Sequence, residues 1–232
     1  MRARRGHDGR MRILAFDVNE TLLDLRGLDP LFEQALGDAS LRGAWFQQML
    51  QLAFVGAITD RYVDFTSAQI AALTMVAERT GIALELEAAE RVVDGMRRLE
   101  AHPEVTGALA RLRDGGFTLA ALTNSRLDVA RDQLRHAGLD GHFDEILSAD
   151  QVRALKPRRE PYELAARTFG EETAQVRLVA AHAWDVAGAM AAGCAAAFVA
   201  RPGMVLSPVG RQPDIVGADL DEVAEAILEA GG

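Results

Sequence analysis

The sequence predicts an α/β protein, a parallel sheet flanked by helices with a helical segment inserted between its first two strands. Three observations carry the prediction. Short apolar runs at 13–16, 117–122, 176–181 and 195–200 each end on polar or small residues, as strands buried on both faces do. The stretches between the runs repeat apolar residues at spacings of three and four, the period of an amphipathic helix. A long segment from about 25 to about 102 has helical patterning throughout and no strand-like run.

Taken in order, the basic, polar opening MRARRGHDGR lacks the apolar core of a secretory signal. It is expected to be a disordered extension, with Met11 as the functional start of the fold. The first strand, ILAF, delivers Asp17 to its end. The insertion follows, with helices in LFEQAL, AWFQQMLQLAFVGA, DFTSAQIAALTMVAERTG and LEAAERVVDGMRRLEAH. Pro103 marks the return, and PEVTGALARLRDGG reads as a helix stopped by Gly115 and Gly116. After the second strand, SRLDVARDQLRHAGL reads as a helix from near Ser125 to near Gly138, with Asn124 or Ser125 as its N-cap. DVAGAMAAG reads as a small-residue helix able to pack tightly on the sheet. The C-terminal part reads as a loop, a short strand and a final helix. These elements give a Rossmann-like core over 11–24 and 103–232 and a helical cap over 25–102.

Composition narrows the function. The 232 residues are 49% hydrophobic, enough for a sizeable core. A formal net charge of −9 gives no basic field to recruit nucleic acid or an acidic membrane surface. No run approaches the roughly 18 apolar residues of a membrane span. The single cysteine, Cys194, excludes an internal disulfide, reads as a small core residue, and suits a reducing cytoplasm.

In an open α/β sheet, ligands bind at the carboxyl ends of the strands. Asp17, Asn124 and the His182-Trp184-Asp185 group are therefore expected to converge. An ionised carboxylate at a strand end can attack carbon or phosphorus, so Asp17 is the candidate nucleophile, against the simpler reading of a turn cap. Thr21, Thr123 and Asn124 offer donors to a substrate carboxylate or to Asp17. Lys156 is the only lysine beside 24 arginines, which points to a compact ammonium that pairs with Asp17. Tyr162 reads as packing near the Lys156 loop. Asp185 is suited to holding Lys156, positioning water or ligating a metal, and Trp184 to walling the pocket. His182 is either a structural group or a general base for water, since its ordinary pKa of about 6.5 suits that task.

The set FDVNETLLDL, LTNS, ALKPRREPYELA and AAHAWDVAGAMAAG resembles the four motifs of the haloacid dehalogenase superfamily, in particular its (S)-2-haloacid dehalogenase (type II) branch. WFQQMLQLAFVGAITDRYVDF resembles that branch's cap. The resemblance implies in-line attack of Asp17 on C2 of a short 2-haloalkanoate, expulsion of halide, and hydrolysis of the aspartyl ester to a 2-hydroxy acid. Lys156, Asp185 and His182 would assist, and Thr21, Asn19, Phe46, Thr123, Asn124, Trp184 and Tyr162 would surround the substrate. It implies no metal or organic cofactor, and a homodimer.

Two other readings compete. One is a Mg²⁺-dependent phosphatase of the same superfamily acting on a small phosphorylated metabolite. Its members resemble one another in a second aspartate two residues after the nucleophile, where this chain has Asn19, and an amide cannot shuttle a proton. The other is a non-catalytic binding protein, against which stand Asp17, Lys156 and Asp185 together. The chain also departs from the dehalogenase pattern. Phe46 stands where a cap arginine is expected, with Arg42 one turn earlier; His182 stands for an asparagine; Glu20 stands for a glycine. An aromatic wall at 46 is expected to narrow the pocket toward small haloacetates.

Overall fold

The structure, a computed structural model, describes residues 12–231; the extension expected over 1–10, and Met11, lie outside them. Six strands, β1 (Ile13–Phe16), β2 (Thr118–Thr123), β3 (Glu145–Ser148), β4 (Val176–Ala180), β5 (Ala195–Val199) and β6 (Ile215–Gly217), form one sheet in the order β3-β2-β1-β4-β5-β6. Every pairing is parallel, and β1 lies between β2, with Phe16 opposite Ala121, and β4, with Phe16 opposite Val179.

All four residues of β1 are buried, which is why its sequence is an unbroken apolar run and not an alternating one. Successive side chains still point to opposite faces. Leu14 and Phe16 join the larger hydrophobic cluster, whereas Ile13 and Ala15 join a second one. The larger cluster includes residues of α5 (Val105–Asp114), α6 (Leu127–His136) and α9 (Leu220–Ala230), and the second includes residues of α7 (Arg159–Thr168) and α8 (Ala183–Ala191).

Four helices separate β1 from β2: α1 (Asp29–Leu36), α2 (Leu41–Ile58), α3 (Phe65–Thr80) and α4 (Leu86–Gly95). Their apolar residues belong to the larger cluster, so the inserted helices share a continuous core with one face of the sheet. Trp45 of α2 is fully buried and donates Nε1–H to the carbonyl of Gln69 in α3 at 2.9 Å, while its ring meets that of Phe32 in α1 at 5.2 Å. A pattern read as helical through His102 is cut short at Gly95, after which the chain passes through a 3-10 turn at Met96–Arg98.

Two local readings change. β3 was not foreseen: EILS shows one exposed and one half-buried residue before two buried ones, too weak a pattern to register as a buried strand, and it pairs on one side only, with β2. Neither Asn124 nor Ser125 caps α6. Its N-cap is Arg126, without a side-chain hydrogen bond, because the two polar side chains before it are drawn into the site.

Candidate active site

The strand order reverses between β1 and β4, and the carboxyl end of β1 carries Asp17 there. The carboxylate is buried. Its Oδ1 accepts from Lys156 Nζ at 2.9 Å, and its Oδ2 accepts from Thr21 Oγ1 at 2.7 Å and lies 3.1 Å from His182 Nδ1. Burial alone raises the carboxyl pKa, but the Lys156 charge and the His182 contact overcome it and hold Asp17 well below the usual carboxylate range. The group is an anion in a site nearly closed to water.

Lys156 is fully buried. Its ammonium has three N–H donors, and three acceptors receive them: Asp17 Oδ1, Asp185 Oδ2 at 2.6 Å and the Leu122 carbonyl at 2.8 Å. Burial lowers its pKa, yet the two carboxylates more than offset that, and the net direction is upward. Asp185 moves up, through burial first and the Asp17 charge second, against the pull of Lys156. Tyr162, expected as packing, donates its hydroxyl to Asp185 Oδ1 at 2.6 Å. Asn124 clamps the Lys156 loop: its Oδ1 accepts from Lys156 N at 2.8 Å and its Nδ2 donates to Lys156 O at 3.3 Å.

Close approach of α8 to this loop depends on Gly188. A Cβ there would lie 2.5 Å from Pro157 Cβ and 2.7 Å from the Tyr162 hydroxyl, so only glycine lets the helix carrying Asp185 sit against the segment carrying Lys156.

Aromatic rings flank the His182 ring. Phe46 of α2 stacks on His182 with ring centres 5.5 Å apart, Trp184 stacks on His182 at 5.3 Å, and Phe54 meets Trp184 edge-on. Trp184 Nε1 is buried with no hydrogen-bond partner in the protein, a donor left over for a ligand.

Other expected site residues are placed differently. Asn19 donates to Ser125 Oγ at 3.2 Å and accepts from Gln133 Nε2 at 2.9 Å; both ends of its amide are thus engaged away from Asp17. Thr123 Oγ1 accepts from Ser125 N at 3.1 Å. Arg42 pairs with Asp29 at 2.6 Å instead of reaching toward Asp17.

Three groups escaped the sequence reading as site residues. Glu20 presents Oε2 3.0 Å from His182 Nε2, and its backbone is left-handed, with φ of 61°, at a cost of about 1–2 kcal/mol for a side-chain-bearing residue. Its place where a glycine is expected was the available signal. Arg201 is buried, donates to the Thr21 carbonyl at 2.7 Å and pairs with Glu104 at 2.6 Å, so it fixes the loop that follows Asp17. Its position at the end of the 195–200 run was the clue. Gln133, in mid-helix, gave none.

The donor set does not fit a divalent cation. The space between Asp17 and Asp185 is taken by the Lys156 ammonium, and among the described residues no group of three or more His, Cys, Asp or Glu side chains is arranged to hold a metal.

A parallel sheet with its strand order reversed at a buried, cation-paired aspartate is an arrangement suited to a hydrolase that attacks through a carboxylate. Residues 11–193 match the model of the haloacid dehalogenase-like hydrolases, and the chain belongs to that family. It is 30% identical over 220 residues to haloacetate dehalogenase H-2 of Moraxella sp. (strain B), covering 94% of this chain and 98% of that one. It is equally 30% identical over 221 residues to the (S)-2-haloacid dehalogenase of Pseudomonas sp. (strain YL), covering 94% and 95%. The solved L-2-haloacid dehalogenase of Xanthobacter autotrophicus superposes with a TM-score of 0.87 at 25% identity, over 94% of this chain and 98% of that one. Among the described residues no helix is long and apolar enough to cross a membrane.

Proposed function

We propose that the protein hydrolyses the carbon–halogen bond of short (S)-2-haloalkanoic acids, giving 2-hydroxy acids through an ester on Asp17. The observation that carries this is the state of the site: an ionised, buried carboxylate held by Lys156, with no acid two residues on to protonate a poor leaving group. Halide needs no proton to depart, whereas a phosphate ester does. The phosphatase reading has no observation in its favour.

Asp17 displaces halide in line at C2, which inverts that carbon, and water then attacks the ester carbonyl. Holding the carboxylate, with its lone pairs bare of bulk water, in a fixed orientation removes most of the solvent reorganisation that slows this attack in solution. Of the two candidates for activating water, Asp185 is favoured: its oxygens accept from Lys156 and Tyr162, but each carboxylate oxygen has a second lone pair, whereas both nitrogens of His182 face carboxylate oxygens and have none to spare. Trp184 Nε1–H is the free donor for substrate carboxylate or departing halide. Phe46, stacked on His182, favours small haloacetates. No cofactor enters this scheme. The inserted helices over 25–102 act as the cap, through α2, which brings Phe46 to the site. A cytoplasmic homodimer belongs to the same reading, with Val55 and Ile58 exposed at the end of α2 as apolar surface for a second copy.

The test is halide release from chloroacetate and 2-chloropropionate in the presence of EDTA, with Asp17→Asn as the control. Release by the wild-type chain that the control abolishes is the expected result. Equal release from both, or phosphate release from a metabolite with Mg²⁺ and no halide at all, refutes the proposal.

A further inference from the structure

One pair at the site has no part in holding Lys156: the half-buried Glu20 and the buried His182. The ring's Nδ1 is 3.1 Å from Asp17 Oδ2 and its Nε2 is 3.0 Å from Glu20 Oε2. A neutral imidazole would aim a lone pair at one of these carboxylates, so both nitrogens carry hydrogen and the ring is a cation. The rings of Phe46 and Trp184 stack on it, as aromatic faces do on a desolvated cation. Glu20 is held for this contact. Its N–H donates to the Leu23 carbonyl at 2.9 Å, and its own carbonyl lies 3.3 Å from His102 Nε2.

The two oxygens of Asp17 are also unequal. Oδ2 has two donors, Thr21 and His182, whereas Oδ1 has one, Lys156. Thr21 Oγ1 accepts from Ala181 N at 2.9 Å, which leaves its hydrogen directed to Oδ2. Oδ1 therefore keeps a lone pair for attack, and Oδ2 sits in a prepared pair of donors.

We propose that Thr21 and His182 form the oxyanion hole for hydrolysis of the Asp17 ester, and that Glu20 is the positioning residue that keeps the His182 ring donating. The proposal rests on the dehalogenase reading. In the first step an Oδ1 lone pair forms the bond to C2 while the carbon–halogen bond breaks and halide leaves with the electron pair. Oδ2 is then the ester carbonyl. Water attacks Cγ, one of its protons passes to Asp185, and the carbonyl electron pair moves to Oδ2, where Thr21 Oγ1–H and His182 Nδ1–H donate. Collapse breaks the Cγ–Oδ1 bond, and Asp185 returns its proton to the departing oxygen, giving the 2-hydroxy acid. Asp17 keeps the water oxygen, and the remaining proton goes to solvent.

The groups that face His182 are Asp17 from the end of β1, Glu20 from the loop after it, and the uncharged Phe46 of α2 and Trp184 of α8. Lys156 lies across Asp17, with Asp185 beyond it. Burial disfavours the imidazolium, but the contacts with Asp17 and Glu20 outweigh it and push the pKa up to about 9. Donation, and with it turnover, is present below that value and is lost as pH rises through it.

The experiment is rapid-quench turnover of 2-chloropropionate, with halide counted and the Asp17 peptide weighed. His182→Ala is expected to keep a burst of one halide per chain, to accumulate the ester, and to lose about 100- to 1,000-fold in steady-state rate. Glu20→Gln is expected to move the alkaline limb of the kcat profile to lower pH. Glu20→Gln/His182→Asn, which keeps a donor and leaves no unpaired carboxylate at position 20, is expected to recover turnover without that limb. A His182→Ala chain that turns over normally or loses the burst as well, an unmoved alkaline limb in Glu20→Gln, or a double variant trapped as the ester overturns the proposal. Wild-type protein that releases no halide overturns the dehalogenase reading instead, and the ester step with it.

Discussion

Replacing Lys156 by methionine removes the one cation between two buried carboxylates. In the wild-type protein Asp17 and Asp185 both face the ammonium, at 2.9 and 2.6 Å, with no exposed surface on the lysine. Taking away one partner of a buried ion pair costs about 3–5 kcal/mol, because the charge left behind is uncompensated. Against a total stability on the order of 5–15 kcal/mol, the variant remains folded but is clearly weakened near neutral pH. The sign of the pH dependence follows from linkage. Lys156 pulls both carboxyls down, so its loss raises both folded-state values. The variant's carboxylates then take up protons on mild acidification, which removes the charges that destabilise it. The stability difference between wild type and variant is therefore widest near neutrality and narrows as pH falls through the raised carboxyl range. Urea unfolding of both proteins, from about pH 7.5 to about pH 5, measures that difference while terms common to the two chains cancel. A difference that stays constant or widens on acidification would refute the buried, carboxylate-pairing role of Lys156.

Gly188→Ala drives a Cβ to 2.5 Å from Pro157 and 2.7 Å from the Tyr162 hydroxyl. Overpacking outweighs the better helix propensity of alanine, for a net loss of about 1–2 kcal/mol, and chemical denaturation should show it together with a fall in kcat as Tyr162 shifts from Asp185. Cys194 is buried and its thiol is pushed up to about 12, first by burial and then by the Asp185 charge. Iodoacetamide should therefore leave the native chain unlabelled and label it once unfolded; rapid labelling of the native protein contradicts the placement.

Much of the core was legible because parallel strands buried on both faces leave continuous apolar runs. ILAF and the runs at 117–122, 176–181 and 195–200 became β1, β2, β4 and β5 within a residue at most boundaries. EILS escaped because its first two residues, Glu145 and Ile146, are exposed and half-buried, which leaves no continuous apolar run. The ends of the first and fourth motifs were legible for another reason. Asp17, Lys156 and Asp185 are charged residues at a strand end, in a loop and in the first turn of a helix of an otherwise apolar frame, and the structure brings both carboxylates within hydrogen-bond reach of the ammonium. The partners of the amides were not legible. Asn19, Asn124 and Thr123 offer the same donors to substrate or to backbone, and only the folded path of the 148–157 segment and of α6 decides that Asn124 holds Lys156 and that Asn19 meets Gln133. His182 shows the limit most clearly. A histidine at a strand end reads equally as base or as structural group, and it is the carboxylate at each nitrogen that separates these from a donor.

The sheet order has an evolutionary corollary. Because β1 and β4 are neighbours, the loops that carry Glu20 and His182 emerge side by side, although the two residues are 162 positions apart. Each residue makes the other tolerable: a carboxylate at 20 without a cation would be left facing an uncharged ring or amide, and an imidazolium at 182 would lose half its compensation. The two positions should therefore covary, so that among relatives histidine at the second site travels with an acid at the first, with an aromatic ring at position 46 as the third member of the exchange.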